Sequence, residues 1–137
     1  MSMVRKDLHN NVEEINAFHA AVISTDTTTH GVIIDTQGYS ALEFIVQVSS
    51  WTDGTYTVLL EEGNESNLGD AATVNAANVF GALPAPASNN AVARVGYRLG
   101  IYRYVRLSIV STVVTTGATV AAVGLLGAPD QMATPST

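Results

Sequence analysis

The chain has 137 residues, 47% of them apolar and only 13% charged, with a net charge of −6 and no cysteine. That length fits one domain able to bury roughly two-thirds of the surface its unfolded chain exposes. The composition excludes a disulfide framework, a thiolate metal site and a cysteine nucleophile, and it argues against a nucleic-acid binder, which grips phosphates with a basic surface.

So few charges leave little polar surface to cover a monomer, which points to part of it being covered by another protein. Arg5 and Lys6 have no apolar run behind them, so no secretory segment is expected. No stretch reaches the ~18 consecutive apolar residues of a membrane helix.

Residues 1–18 read as an N-terminal arm. Leu8, Val12, Ile15 and Phe18 are spaced by four, three and three, which allows a short amphipathic helix. Asn10 and Asn11 could cap it. The alternative is an extended arm that orders on a partner, since so short a helix is marginal alone.

From His19 the residue types change. Ala20–Ile23 and Gly31–Asp35 are rich in branched side chains that suit a pleated surface and read as two short strands. In Ala41–Val48, Leu42, Phe44, Val46 and Val48 share one face, and Glu43, Ile45 and Gln47 the other. Asp53-Gly54 then signals a hairpin to Thr55–Glu61, with Tyr56, Val58 and Leu60 inward.

Glu62–Asn90 has no strong period, with a short helix conceivable around Asp70–Ala77. Ala91–Leu99 and Tyr102–Ser111 read as a second hairpin about Gly100. It carries Arg94, Arg98, Arg103 and Arg106, four of the six basic residues, with Tyr97, Tyr102 and Tyr104. Val105, Leu107 and Ile109 take one face of its second strand. Arg103 falls on that aliphatic side, so it needs a carboxylate or an open strand end.

Ala118–Leu126 is apolar on both faces, the pattern of a strand covered on both sides, in the protein centre or at a subunit contact. The segment 130–137 reads as a flexible tail. About eight short strands with frequent turns make an all-β protein, an antiparallel β-sandwich or barrel over residues 19–129.

No motif for chemistry stands out. His9, His19 and His30 lack ligand spacing, and no Gly-x-Ser-x-Gly elbow occurs. A triad assembled from distant residues stays open. The acidic run Glu61–Asp70 lacks the alternating oxygen ligands of a calcium loop. No catalytic, metal or cofactor residue is assigned. The arginine–tyrosine stretch is either a sheet face paired with Glu43, Glu61 or Asp35, or a protein contact, since Tyr and Arg are common at interface hot spots.

Three segments carry a resemblance: Thr27–Tyr39, Thr52–Glu62, and Val95–Arg98 with Arg103–Leu107 running on to Pro129. Together they resemble the small capsid decoration, or cement, proteins of tailed bacteriophages. The resemblance implies a jelly-roll-like sandwich and a non-enzymatic virion protein on the capsid surface, made in the host cytoplasm. It implies that the protein binds the major capsid protein and itself, as a dimer or trimer, and it supplies no catalytic residues. The candidate contacts are Arg94, Arg98, Tyr102, Arg103, Tyr104 and Arg106, with Leu8, Val12, Ile15 and Phe18 of the arm. Neither membrane nor nucleic acid is expected as a partner. A carbohydrate-binding module is the alternative, with Trp51, Tyr56, Tyr97, Tyr102 and Tyr104 as its platform.

Overall fold

The computed structural model describes residues 8–127. Ten strands form in chain order: β1 (Val12–Ile23), β2 (Thr27–His30), β3 (Ile34–Asp35), β4 (Ala41–Trp51), β5 (Thr55–Gly63), β6 (Ala72–Thr73), β7 (Val79–Phe80), β8 (Ala91–Tyr97), β9 (Tyr104–Thr112) and β10 (Ala118–Gly127). The front sheet runs β1-β10-β4-β8-β7 and the back sheet β2-β9-β5-β6, with β3 also on β9. Every pairing is antiparallel. The first and last strands are neighbours, and apart from the short edge strand β7, strands from the two halves of the chain alternate within each sheet. This is the jelly-roll arrangement of interleaved Greek keys.

Alternation set the inward faces as the sequence indicated. Leu42, Phe44, Val46 and Val48 of β4 meet Tyr56, Val58 and Leu60 of β5 and Val105, Leu107 and Ile109 of β9, all at most 3% exposed. Each such side chain contributes about 1.5–3 kcal/mol by leaving water. Among the described residues no buried side-chain nitrogen or oxygen lacks a partner. Tyr97 on the front sheet donates to Glu62 Oε1 on the back sheet at 2.6 Å, a buried polar bond across the sandwich.

Both expected hairpins are corrected. β4 pairs with β10 and β8, whereas β5 pairs with β9 and β6. The Asp53-Gly54 turn therefore arches from one sheet to the other. Trp51 Nε1 donates to Gly54 O and Tyr56 Oη to Asp53 O, holding the arch closed. Gly54 sits at φ +98°, a conformation that suits glycine. The connection around Gly100 likewise carries the chain from β8 in the front sheet to β9 in the back sheet. A turn dictates reversal of direction, but not whether the return strand lies about 4.8 Å away in the same sheet or about 10 Å away in the other.

Residues 12–18 are also corrected. They are neither helix nor free arm but the first part of β1, paired to β10 from Val12↔Gly127 onward. The boundary expected at 18/19 thus falls inside a strand. Register shifts between Asn16 and Phe18 and between Phe18 and Ala21 break strict alternation, so the apolar spacing mimicked a helix. The helix expected at 70–77 is replaced by the short β6 and one 3-10 turn, Ala76–Asn78. Residues 1–7 of the arm and the tail 130–137 lie outside the described residues.

Candidate protein-contact surface

The strongest candidate surface is the outer face of the front sheet. Its side chains alternate with the core residues. Ile45 of β4 lies between Val123 of β10 and Arg94 of β8. Glu43 lies between Leu125 and Gly96, and Gln47 between Ala121 and Val92. On β1, Asn16 stands beside Val123 and Glu14 beside Leu125. Val92 is 66% exposed, Val123 41% and Phe80 56%. Ile45 and Leu125 are half-buried, lining a hollow of about 450 Å³ with Glu43, Phe80, Gly81 and Arg94. Phe80 leans over Gly96 at one side of this face, while Val92 and Val123 stay open to solvent. The double-sided apolarity of β10 therefore resolves into a core side, Val120, Ala122 and Leu126, and an open side, Ala121, Val123 and Leu125.

Charge on this face is divided. Glu14 projects from β1 at one edge, whereas Arg94 projects from β8 toward the other, with Arg98 just past that strand's end. Arg94 Nε lies 3.9 Å from Glu43 Oε2, a loose pair with the arginine largely in water.

The outer face of the back sheet is polar and internally paired. Arg106 Nε donates to Glu61 Oε1 at 2.9 Å, directly across β9 and β5. Ser108 Oγ also donates to Glu61 Oε1, at 3.2 Å, and lies 3.0 Å from His30 Nδ1. This puts serine, histidine and carboxylate together, but not as a triad. In a triad the imidazole stands between the other two and uses both nitrogens. Here the serine oxygen is the bridge, at a single ring nitrogen, and Ser108 is fully buried. Among the described residues no group of three or more His, Cys, Asp or Glu is placed to hold a metal ion. His9, His19 and His30 lie on separate parts of the chain, and His19 Nδ1 is 2.7 Å from Asn16 Nδ2.

Arg103 finds both solutions open to it. It sits at the entrance to β9 and forms a bidentate pair with Asp35, with Nε and Nη2 each 2.8 Å from a carboxylate oxygen. Its guanidinium also lies 5.1 Å from the Tyr104 ring centroid. The paired guanidinium holds the Asp35 carboxyl below its usual range.

The comparisons bear on the fold. No family model matches the chain, and no curated protein matches it. It is similar to a chain in the structure of infectious bursal disease virus, Gx strain, at a TM-score of 0.51 and 10% identity. The match covers 89% of this chain and 33% of that one, so this chain spans about a third of the viral chain's length. At that identity the likeness concerns the sandwich and not its surfaces.

The structure distributes the sequence-predicted contacts rather than gathering them. Arg94 belongs to the front sheet, Arg106 and Tyr104 to the back sheet, and Arg98, Tyr102 and Arg103 to the loop between them. Of the arm residues, Leu8 is exposed, Val12 and Ile15 are half-buried in β1, and Phe18 is 2% exposed in the core, closed to any partner. The carbohydrate platform is likewise dispersed. Tyr56 and Tyr97 are core residues at 0% and 2% exposure, so they offer no ring face to a sugar. Sequence reasoning overlooked Ile45 and Val92. Ile45 shares the face of Glu43 and Gln47, and Val92 that of Arg94, so the signal was an aliphatic residue on the polar side of an alternating strand.

Proposed function

We propose that the chain is a non-enzymatic virion structural protein that decorates and stabilises a phage capsid by binding the major capsid protein and itself. The observation that carries this reading is the open aliphatic front face on a rigid jelly-roll sandwich. A sheet face with Val92 and Val123 exposed and Ile45 and Leu125 half-buried beside them suits docking on protein. The likeness of the fold to a chain from a virus supports it, as does the resemblance of three sequence segments to capsid decoration proteins. The clustered polar side chains, in contrast, are consumed in pairing with one another.

Co-sedimentation tests it. The purified chain is mixed with empty, expanded heads of the phage that encodes it, stripped of the chain itself. Saturable pelleting at a fixed ratio to the major capsid protein is expected. Protein that stays in the supernatant at micromolar concentration with intact heads would sink the reading.

A further inference from the structure

The front face has a charge layout that selects its own partner, and we infer that two copies of the chain pack front sheet to front sheet about a two-fold axis running parallel to the strands. The inference rests on reading that face as a contact surface, and it adds the partner and the geometry. An axis of this kind, placed between β10 and β4, lays β10 of one copy over β4 of the other and β1 over β8. Val123 then faces Ile45, because the two are direct cross-strand partners in one sheet and the axis exchanges their strands. Ala20, which borders Gln47 and Ala121 on this face, comes to stand over Val92.

The charges match in the same pose. Glu14 shares a row with Leu125, Glu43 and Gly96. The axis therefore sets Glu14 of one copy over the Gly96 position of the other, where Phe80 and the Glu43 carboxylate lie close, with Arg94 two residues before it on β8 and Arg98 just past the strand's end, so that two acids meet two arginines. Two such contacts form, one at each margin, around a centre in which Ile45, Ala121, Val123 and Leu125 are joined by Glu43 and Gln47. An axis across the strands would instead lay β1 on β1 and β8 on β8, placing acid on acid and arginine on arginine. Like charges opposed in this way penalise the wrong pose.

The area is adequate. The four overlapping strands β1, β10, β4 and β8, of 12, 10, 11 and 7 residues, give at about 4.8 Å spacing and about 3.4 Å per residue a face of roughly 20 by 33 Å, close to the roughly 800 Å² per partner of a stable interface. Aligned packing of two twisted sheets is a common way for such faces to meet.

Cysteine cross-linking of the full chain tests this, starting from a protein with no cysteine. Ala20 on β1 and Val92 on β8 are separated by β10 and β4, about 14 Å within one copy, which is too far for a disulfide. The A20C/V92C variant should therefore oxidise to a covalent dimer and form no internal bond, while A20C alone should stay uncross-linked. Sedimentation equilibrium supplies a second measurement. Glu14→Arg or Arg94→Glu should weaken the dimer about tenfold or more, and the double exchange E14R/R94E should recover most of the loss.

A wild-type chain that stays monomeric at about 100 μM, a scale on which even weak dimers appear, overturns the inference. So does ready cross-linking of A20C by itself, because that places β1 on β1. Head binding is measured separately. A cross-linkable dimer that ignores heads leaves this inference standing and sinks the capsid reading, and a monomer that binds heads does the reverse.

Discussion

Tyr97→Phe removes one oxygen from the middle of the sandwich, and its cost can be worked out in advance. The ring stays, so the packing of a side chain 2% exposed is preserved. What goes is the 2.6 Å hydrogen bond to Glu62, a carboxylate in a residue only 6% exposed. A hydrogen bond to a charged group contributes about 1.5–3 kcal/mol, because the abandoned acceptor cannot recover its water. For a domain of this size that lowers Tm by about 5–10 °C. Urea unfolding followed by the fluorescence of Trp51, the single tryptophan, measures it. The pH dependence adds a signature. Burial first, and then the bond to Glu62, raise the Tyr97 hydroxyl above its ordinary pKa. Its contribution is thus complete below the unfolded-state value near 10 and declines as the unfolded chain begins to ionise above it. The gap between wild type and Tyr97→Phe should be constant from about pH 7 to 9 and narrow above about pH 10. A variant within about 0.5 kcal/mol of wild type, the range of an ordinary surface substitution, would refute the assignment of this bond as a stabilising cross-tie.

Adjacent identical residues provide a second test. Leu60 points inward at 1% exposure and Leu59 outward, half-buried. Leu60→Ala should cost about 2–5 kcal/mol and Leu59→Ala about 1 kcal/mol or less in urea unfolding, and equal costs would mean the face assignment is wrong. Asp53 should act as a clamp on the arch. Desolvation pushes its pKa up, but the amides of Thr116, Thr115 and Gly117 outweigh that and hold it below the ordinary value. Its stabilisation should hold above about pH 4 and fade as pH drops through the depressed native value. Asp53→Ala should flatten that acid limb, and an unchanged acid limb would count against the clamp. Finally, removing residues 1–7 leaves β1 whole and should give a folded chain by circular dichroism. Removing residues 1–18 takes more than half of β1 and should expose Leu126 and Ala122, with aggregation as the readout.

The inward faces of β4, β5 and β9 were legible because every second residue along each is apolar, Leu42 to Val48, Tyr56 to Leu60 and Val105 to Ile109. Even the three acids available to the arginines, Asp35, Glu43 and Glu61, were foreseeable, since a chain with six basic residues has few competing pairs. Pairing across sheets was not legible. Asp53-Gly54 and Gly100 mark where the chain turns, but the choice between hairpin and arch depends on which distant strand occupies the neighbouring edge. β10 holds that place beside β4, and it comes from the far end of the chain. β1 was misread for the same reason. Its spacing fits a helix, and only its pairing with β10 decides otherwise.

The place of β10 between β1 and β4 has a consequence for how the protein is made. A ribosome releases β1 first and β10 last, and more than a hundred residues separate Val12 from its partner Gly127. Until β10 emerges, the front sheet has a vacant slot between β1 and β4, and two strand edges wait unpaired beside it. Completion is therefore a single late event rather than stepwise growth, as expected of a topology dominated by distant contacts, which fold slowly. During that interval the nascent chain is most open to pairing with the wrong neighbour, because its unpaired strand edges are exposed.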